Sequence, residues 1–390
     1  MTTTTATTST TSGKNIRVMT RRLSSGTLDE RNFIYFDSQW KPETKCKENS
    51  DRSVTTATSS TVFGDDDPLT FLPRMVMVDD KGLMLQSMIN QLSTHEKEVA
   101  ARSSFAYFMA SVSKDVPVTD DERDQAAMAM AARHLRADKG DILLAVQHMK
   151  ATIQWRQDQH LDELRCCFEE STDQAMSFRT EIQGFVGEKG KFIIQGFDKE
   201  HRACWHTVDR HSPEGTQLNH DGCLLAHYYM LERAIACSEA SSLKYGCQTQ
   251  ETVVVSVDFA GFQLDHAPNM NTIKELLFCL RDHYPERLFR VYLVDAPLVF
   301  RSLWAVIKPF VDAETKKKFQ FVTGKNQRSV VFDEIMGSDQ CMPYQHPNGE
   351  LACDGEIDVQ KFYSLPFDAA YGGAGIEKKV HEKRKKLKCV

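Results

Sequence analysis

The residues able to do chemistry in this chain are plentiful but poorly spaced for catalysis. The run GFVGEKGK from Gly184 to Lys191 has the glycines and lysine of a phosphate-binding loop, yet five residues separate Gly184 from Gly190 where that loop needs four. Phe192 then stands where a hydroxyl residue should hold magnesium. YGGAG at Tyr371–Gly375 lacks the preceding strand and following helix of a dinucleotide fingerprint. His201, His206, His211 and His220 are spaced by five, five and nine residues, which matches no zinc signature and places no pair on one helical face. Eleven cysteines include no CxxC, and Cys166 and Cys167 are simply adjacent. Their odd number favours free thiols in a reducing compartment. With no GxSxG or HExxH present, the sequence nominates no catalytic residue, no metal ligand and no cofactor site.

Composition narrows the field further. The 390 residues carry a net charge of −6 and are 41% hydrophobic, an ordinary balance that gives nucleic acid no overall basic footprint. No apolar run approaches the length of a membrane span.

The elements that would position a site fall into four stretches. Residues 1–70, opening MTTTTATTSTTSG, are Thr/Ser-rich and are expected to form a mostly disordered tail. Lys14, Arg17, Arg21 and Arg22, with no acid in the first 28 residues, also suit an organelle transit peptide. Residues 84–170 are helical in pattern. Leu143, Leu144, Val146, Met149, Ile153 and Trp155 recur near helical spacing, Gly140 marks a break and Asp141 is a plausible N-cap. Across 180–335 short apolar segments (KFIIQGF, ACWHTV, TVVVSVDF, RVYLVDA and FQFV) alternate with helical stretches near 222–237, 271–283, 298–310 and 328–335. Interleaving of this kind predicts an α/β domain with a largely parallel sheet. Residues 336–390 form a C-terminal extension whose basic run includes Lys383, Arg384, Lys385 and Lys386. That run is either a solvated tail or a contact to anionic lipid.

One helix is unusual. Leu298, Val299, Phe300, Leu303, Trp304, Val306, Ile307 and Phe310 cover nearly every face, interrupted by Arg301 and Lys308. Such a helix is buried on several sides or meets something other than water.

The surrounding stretch, YPERLFRVYLVDAPLVFRSLWAVIKPFVD, resembles the signature region of the CRAL-TRIO lipid-binding proteins. HLRADKGDILLAVQHMKATIQWR resembles their N-terminal helical segment, GFDKEHRACWHTVDR their first strand pair, and VVVSVDFAGF the strand ending in aspartate and glycine, so that about residues 125–335 are covered. The resemblance implies a helical bundle followed by a mixed, largely parallel sheet flanked by helices, which together form a lipid pocket closed by a mobile gate. The gate would be Pro297 to Phe310, with Leu298, Phe300, Leu303, Trp304, Ile307 and Phe310 lining it. Head-group positions implied by phosphatidylinositol-binding members fall on Lys139, Glu275 and Ser302. Ala305 replaces the lysine those members use for the inositol phosphate, and Asp138 replaces an arginine. LPFDAAYGG at Leu365–Gly373 resembles their closing segment, displaced by an insertion. The implied function is non-catalytic binding and transfer of a lipid, expected to be a phospholipid, by a monomer at the cytoplasmic face of membranes. A lipid-sensing adaptor that binds without transferring is the alternative.

Overall fold

The computed structural model describes residues 80–112, 117–215, 218–244, 249–324, 326–328, 331 and 358–371, and the backbone of 3–11, 14–22 and 28–36. That N-terminal backbone forms strands Thr3–Thr11 (β1), Lys14–Arg22 (β2) and Leu28–Phe36 (β3), paired antiparallel. β-branched threonine favours extended pairing of this kind.

Among the described residues seven helices come next: Asp80–Ile89 (α1), Thr94–Ala101 (α2), Phe105–Val112 (α3), Asp120–Ala137 (α4), Ile142–Asp158 (α5), Leu161–Cys166 (α6) and Asp173–Val186 (α7). Local sequence sets their starts. Ser93 and Thr119 each form a capping box with the glutamate three residues on. Asp141 caps α5 by accepting from the Leu144 N–H at 3.1 Å, as its position after Gly140 predicts. The apolar faces of α1, α2, α4 and α5 bury Met88, Ile89, Ala127, Met130, Met149 and Ile153 in one core.

The α/β part contains strands Phe192–Phe197 (β4), Ala203–Val208 (β5), Val253–Asp258 (β6), Leu288–Val294 (β7) and Phe319–Val322 (β8). They lie in the order β4-β5-β6-β7-β8; β4 and β5 pair antiparallel, and the remaining pairs are parallel. The five predicted strand segments are therefore present in one mixed sheet. Helices His220–Lys244 (α8), Met270–His283 (α9), Leu298–Ile307 (α10) and Ala313–Lys317 (α11) make the connections.

The period of two divides the side chains between two faces. One face presents Phe192, Ile194, Ala203, Trp205 and Val253 to α8 in the largest core, and Val291 and Leu293 to a smaller cluster near α10. The other buries Cys204, Val254, Tyr292, Val294 and Val322.

The described residues close with Val359–Ser364 (α12) and the segment to Tyr371, whose N–H donates to the Ile194 carbonyl at 2.8 Å beside β4. Fully buried Arg233 holds this segment, donating to the carbonyls of Phe362 (2.9 Å) and Pro366 (3.2 Å) and stacking 3.9 Å from the Phe362 ring centre. LPFDAAYGG thus has a structural role through its backbone oxygens. The insertion before it and the basic tail after it lie outside the described residues, as does most of the stretch around 328–335.

Candidate functional site

Strand β7 ends at Val294, and Asp295 turns into the left-handed region with φ 49°. A residue with a Cβ holds that conformation where local bonds over-determine it. Here the Asp295 N–H donates to the Val322 carbonyl at 2.9 Å, and its carboxylate accepts from the Gly324 N–H at 3.2 Å and pairs with Arg328. Extended Pro297 then opens α10. At the other end Lys308–Phe310 tightens into a single 3₁₀ turn around Pro309, and Asp312 caps α11 by accepting from the N–H groups of Glu314 and Thr315. Two proline-marked turns therefore bracket one helix.

That helix divides its apolar residues between inside and outside. Phe300, Leu303, Trp304 and Ile307, at i, i+3, i+4 and i+7, are partly or fully buried. Phe300 packs 4.3 Å from Phe259, and Trp304 packs 4.5 Å from Phe319 on β8. Leu298 is 81% exposed and Val306 57%, with Val299 and Phe310 also exposed. Burying one large apolar side chain gains about 1.5–3 kcal/mol, so this outer face gives up several such gains in water.

Leu298 and Phe310 thus do not line the interior, contrary to the sequence expectation. Both fall off the inward stripe, and Phe310 instead lies under the Lys274 ammonium of α9, 5.2 Å from its ring centre.

Beneath α10 the sheet supplies a floor. Its registers align Ile194, Trp205, Val255, Val291 and Phe319 in one row across β4 to β8. A second row joins Phe192, Thr207, Val257, Leu293 and Phe321. Val255, Val257, Phe319 and Phe321 remain only partly buried, as do Phe262 and Leu288 packed against the same cluster. The aromatic floor residues were not singled out in the sequence; FQFV signals a strand, and alternation alone does not say what covers it.

The three expected head-group positions do not converge. Lys139 is exposed in the α4–α5 turn at φ 55°, and Ser302 bonds back to the Leu298 carbonyl at 3.2 Å on the outer face of α10. Glu275 pairs with His220 at 3.3 Å, whose other ring nitrogen lies 2.8 Å from the Thr272 hydroxyl. Among the described residues no hydrogen bond or ion pair links Lys139, Glu275 and Ser302. Ala305 is exposed beside Val306, with no cation in its place.

The histidines noted in the sequence have separate partners. His206 meets the Gln195 carbonyl (3.1 Å), His211 the Gly190 carbonyl (3.3 Å) and His201 the Ser241 hydroxyl (3.3 Å). No group of three His, Cys, Asp or Glu among the described residues is placed to hold a metal ion.

One contact has the composition of a catalytic dyad: Cys223 Sγ lies 3.6 Å from His227 Nδ1. Burial pushes the thiol up to about 12 and the imidazole down to about 4. Both shifts oppose the thiolate and imidazolium that nucleophilic chemistry requires.

The wall behind the floor is strongly tied. Glu232 on α8 accepts from Arg156 (2.8 and 3.1 Å), Arg165 (2.7 Å) and the Tyr284 hydroxyl (2.9 Å), all buried. Burial alone would favour the neutral acid, yet the two guanidiniums and the hydroxyl hold Glu232 well below the usual carboxylate range. Tyr284 belongs to the YPER turn, so this network fixes the approach to β7. No described helix is long and apolar enough to cross a membrane.

Comparison with known proteins places this geometry in context. Residues 187–342 match the CRAL/TRIO domain model. The phosphatidylinositol transfer protein PDR17 of Saccharomyces cerevisiae is 26% identical over 212 residues, covering 53% of this chain and 55% of that protein. The phosphatidylinositol transfer protein CSR1 of Eremothecium gossypii is 28% identical over 196 residues, covering 48% and 41%. The chain spans about half the length of the curated relatives it matches. The crystal structure of Sfh5 superposes with a TM-score of 0.50 at 17% identity, covering 80% of this chain and all of that one, a likeness of fold.

Proposed function

Residues 187–342 match the CRAL/TRIO domain model, and from that likeness we propose that the protein binds a lipid between its sheet and α10 and exchanges it with membranes. The observation that carries this reading is the two-sided α10. Its inner stripe rests on an apolar floor, its outer face is apolar in water, and its ends are proline-marked turns. A gate that covers lipid when shut and meets a bilayer when open requires both faces. Keeping one methylene from water is worth about 0.8 kcal/mol, so extracting a lipid with ~30 methylenes bare costs roughly 25 kcal/mol. A carrier avoids that cost by docking its apolar cavity against the membrane before the lipid leaves.

The protein is read as a carrier without catalytic activity, since the Cys223–His227 contact is tuned against nucleophilic chemistry. Phosphatidylinositol, named for the PDR17 and CSR1 relatives, is the first ligand to test, although Ala305 offers it no phosphate-binding cation. Lys139, Glu275 and Ser302 remain its proposed head-group positions, of which Ser302 alone lies on α10. Work as a monomer on the cytoplasmic face, with Lys383–Lys386 assisting on anionic membranes, belongs to the same proposal.

Lipid extraction of the purified protein followed by mass spectrometry, with vesicle-to-vesicle transfer measured alongside, tests the reading. Co-purifying lipid and accelerated transfer are expected. An empty protein that accelerates nothing would overturn it, and lipid held but never exchanged would favour a sensor.

A further inference from the structure

The row Ile194–Trp205–Val255–Val291–Phe319 runs unbroken from beneath α8 to beneath α10. Val255 packs against both the α8 core and the cluster under the gate. The end of this floor under α8 is therefore continuous with the gated end, and it is polar at one point.

Trp205 is only 6% exposed, and its indole Nε1, an obligate donor, is buried without a hydrogen-bond partner. Leaving such a group unmade typically costs about 1–3 kcal/mol, so an unpartnered donor in an otherwise closed wall calls for an explanation. The His227 ring of α8 lies 5.6 Å from the Trp205 ring and 4.8 Å from that of Phe192, with Phe185 at 5.9 Å. Those three aromatic residues are buried, whereas His227 keeps partial exposure.

Its tautomer follows from its bonds. Nδ1 is 2.7 Å from the Cys223 carbonyl, which can only accept, so the ring proton sits on Nδ1. Burial keeps the ring neutral. Nε2 is left as a lone-pair acceptor, with no partner among the described residues.

We propose that Trp205 and His227 form a hydrogen-bonding site for a lipid hydroxyl, at the end of the floor opposite the Trp304–Phe319 contact of the gate. This rests on the carrier reading and deepens it. A hydroxyl accepts from the indole N–H and donates to Nε2, satisfying both at once. A carbonyl would leave Nε2 unmet. A phosphate or carboxylate would face a neutral imidazole, while Lys191, over the Phe185 ring at 4.8 Å, is already donating to the His266 carbonyl. Thr207, partly exposed on the same face two residues along β5, adds a second hydroxyl to an otherwise apolar surface. The ligand class is thus a long-chain or polycyclic alcohol whose hydroxyl enters first, its hydrocarbon filling the space under the gate.

The test uses the full chain and two probes offered in phosphatidylcholine vesicles: hexadecanol carrying a pyrene at the end remote from the hydroxyl, and the methyl ether of the same molecule. The wild type is expected to take up the alcohol about tenfold more tightly than the ether, the scale of a satisfied buried polar pair. His227→Phe and Trp205→Phe should each bring that ratio close to one, continued ether uptake reporting that the variant is folded. His227→Gln, which retains an acceptor, should keep most of the preference. Equal uptake of both probes by the wild type overturns the proposal, and so does a tenfold ratio surviving in either phenylalanine variant. Uptake of phosphatidylcholine but of neither probe overturns this site and leaves the carrier reading standing. If neither probe nor phosphatidylcholine is taken up, the carrier reading itself fails, and the site with it.

Discussion

Helices α8 and α10 lie over the same face of one sheet and are held there by opposite means. α8 is anchored by buried charge: Glu232 with Arg156, Arg165 and Tyr284, and Arg233 with the C-terminal carbonyls. α10 is held by ring contacts to Phe259 and Phe319, and by Arg301, which donates to the Ala296 carbonyl and Thr323 hydroxyl near its own hinge and lies 5.2 Å from the Phe321 ring centre. Buried ion pairs break at high cost and demand fixed geometry, whereas ring contacts can slide or be replaced by a lipid chain. On the proposed carrier reading, the wall is the rigid part and α10 the part that moves.

The largest effect follows from breaking the wall. Glu232→Ala leaves Arg156 and Arg165 buried without their carboxylate, and is expected to cost about 3–5 kcal/mol, the usual consequence of orphaning a buried charge. Thermal or urea denaturation would measure it. A loss below 1 kcal/mol would mean that the two arginines find other partners and that the wall is no more fixed than the gate. The mirror experiment is Trp304→Asp. A carboxylate on the inner stripe of α10 opposes closure over lipid, so co-purified lipid should fall more than about tenfold, while the stability loss from giving up a partly buried ring, about 1–3 kcal/mol, stays below that of Glu232→Ala. Lipid content equal to wild type would remove Trp304 from the gate's working face.

A smaller effect sharpens the distinction through pH. Asp209, at the end of β5, is pushed by burial up to about 6 against the attraction of Lys191. A carboxyl whose folded value lies above its ordinary 3.8 favours the folded state progressively as pH falls through 6 toward 3.8, and opposes it above 6. Asp209→Asn is therefore expected to raise stability at pH 8 by about 1 kcal/mol and to change little at pH 4. Glu232 has the opposite sign. Depressed below its ordinary 4.5, it contributes fully at neutral pH, and that contribution is lost only as the pH falls below about 4.5. Denaturation midpoints across this range, for wild type and Asp209→Asn, separate the two. An Asn variant that loses stability at pH 8 would mean Asp209 is held by a partnership stronger than its burial.

The contrast between wall and gate was only half legible in the sequence. The gate declares itself locally: VYLV, then Asp295-Ala296-Pro297, then an apolar helix and Lys308-Pro309-Phe310, all within one continuous stretch. Even there, composition drew Leu298 and Phe310 inward, while the spacing of Phe300, Leu303, Trp304 and Ile307 shows the stripe that does face the floor. The wall is non-local. Nothing near Glu232 announces that Arg156, Arg165 and Tyr284 close around it, nor near Glu275 that His220 pairs with it. Trp205 was legible as a strand residue in ACWHTV. Whether its N–H finds a partner depends on an α8 residue distant in sequence and on a tautomer fixed by the Cys223 carbonyl.

The smallest expected effect on stability lies on the outer face of α10, and it is the one that most directly asks why that face is apolar. Val306 and Leu298 are exposed enough that Val306→Ser with Leu298→Ser removes almost no buried surface. Substitutions away from core contacts usually stay within about 0.5 kcal/mol, and helix propensity changes little here. If this face served only the folded protein, transfer between vesicles would be as unaffected as the melting temperature. If it meets the bilayer while the gate is open, each serine forfeits the apolar transfer term of its parent side chain, about 1–3 kcal/mol. Transfer should then slow severalfold or more, while lipid already loaded stays bound. Stopped-flow transfer of a fluorescent phospholipid, paired with a melting curve, separates the two. Equal rates with equal stability would leave the exposed leucine and valine without a membrane role, and would shift attention to the lysine-rich tail as the contact that brings this domain to lipid.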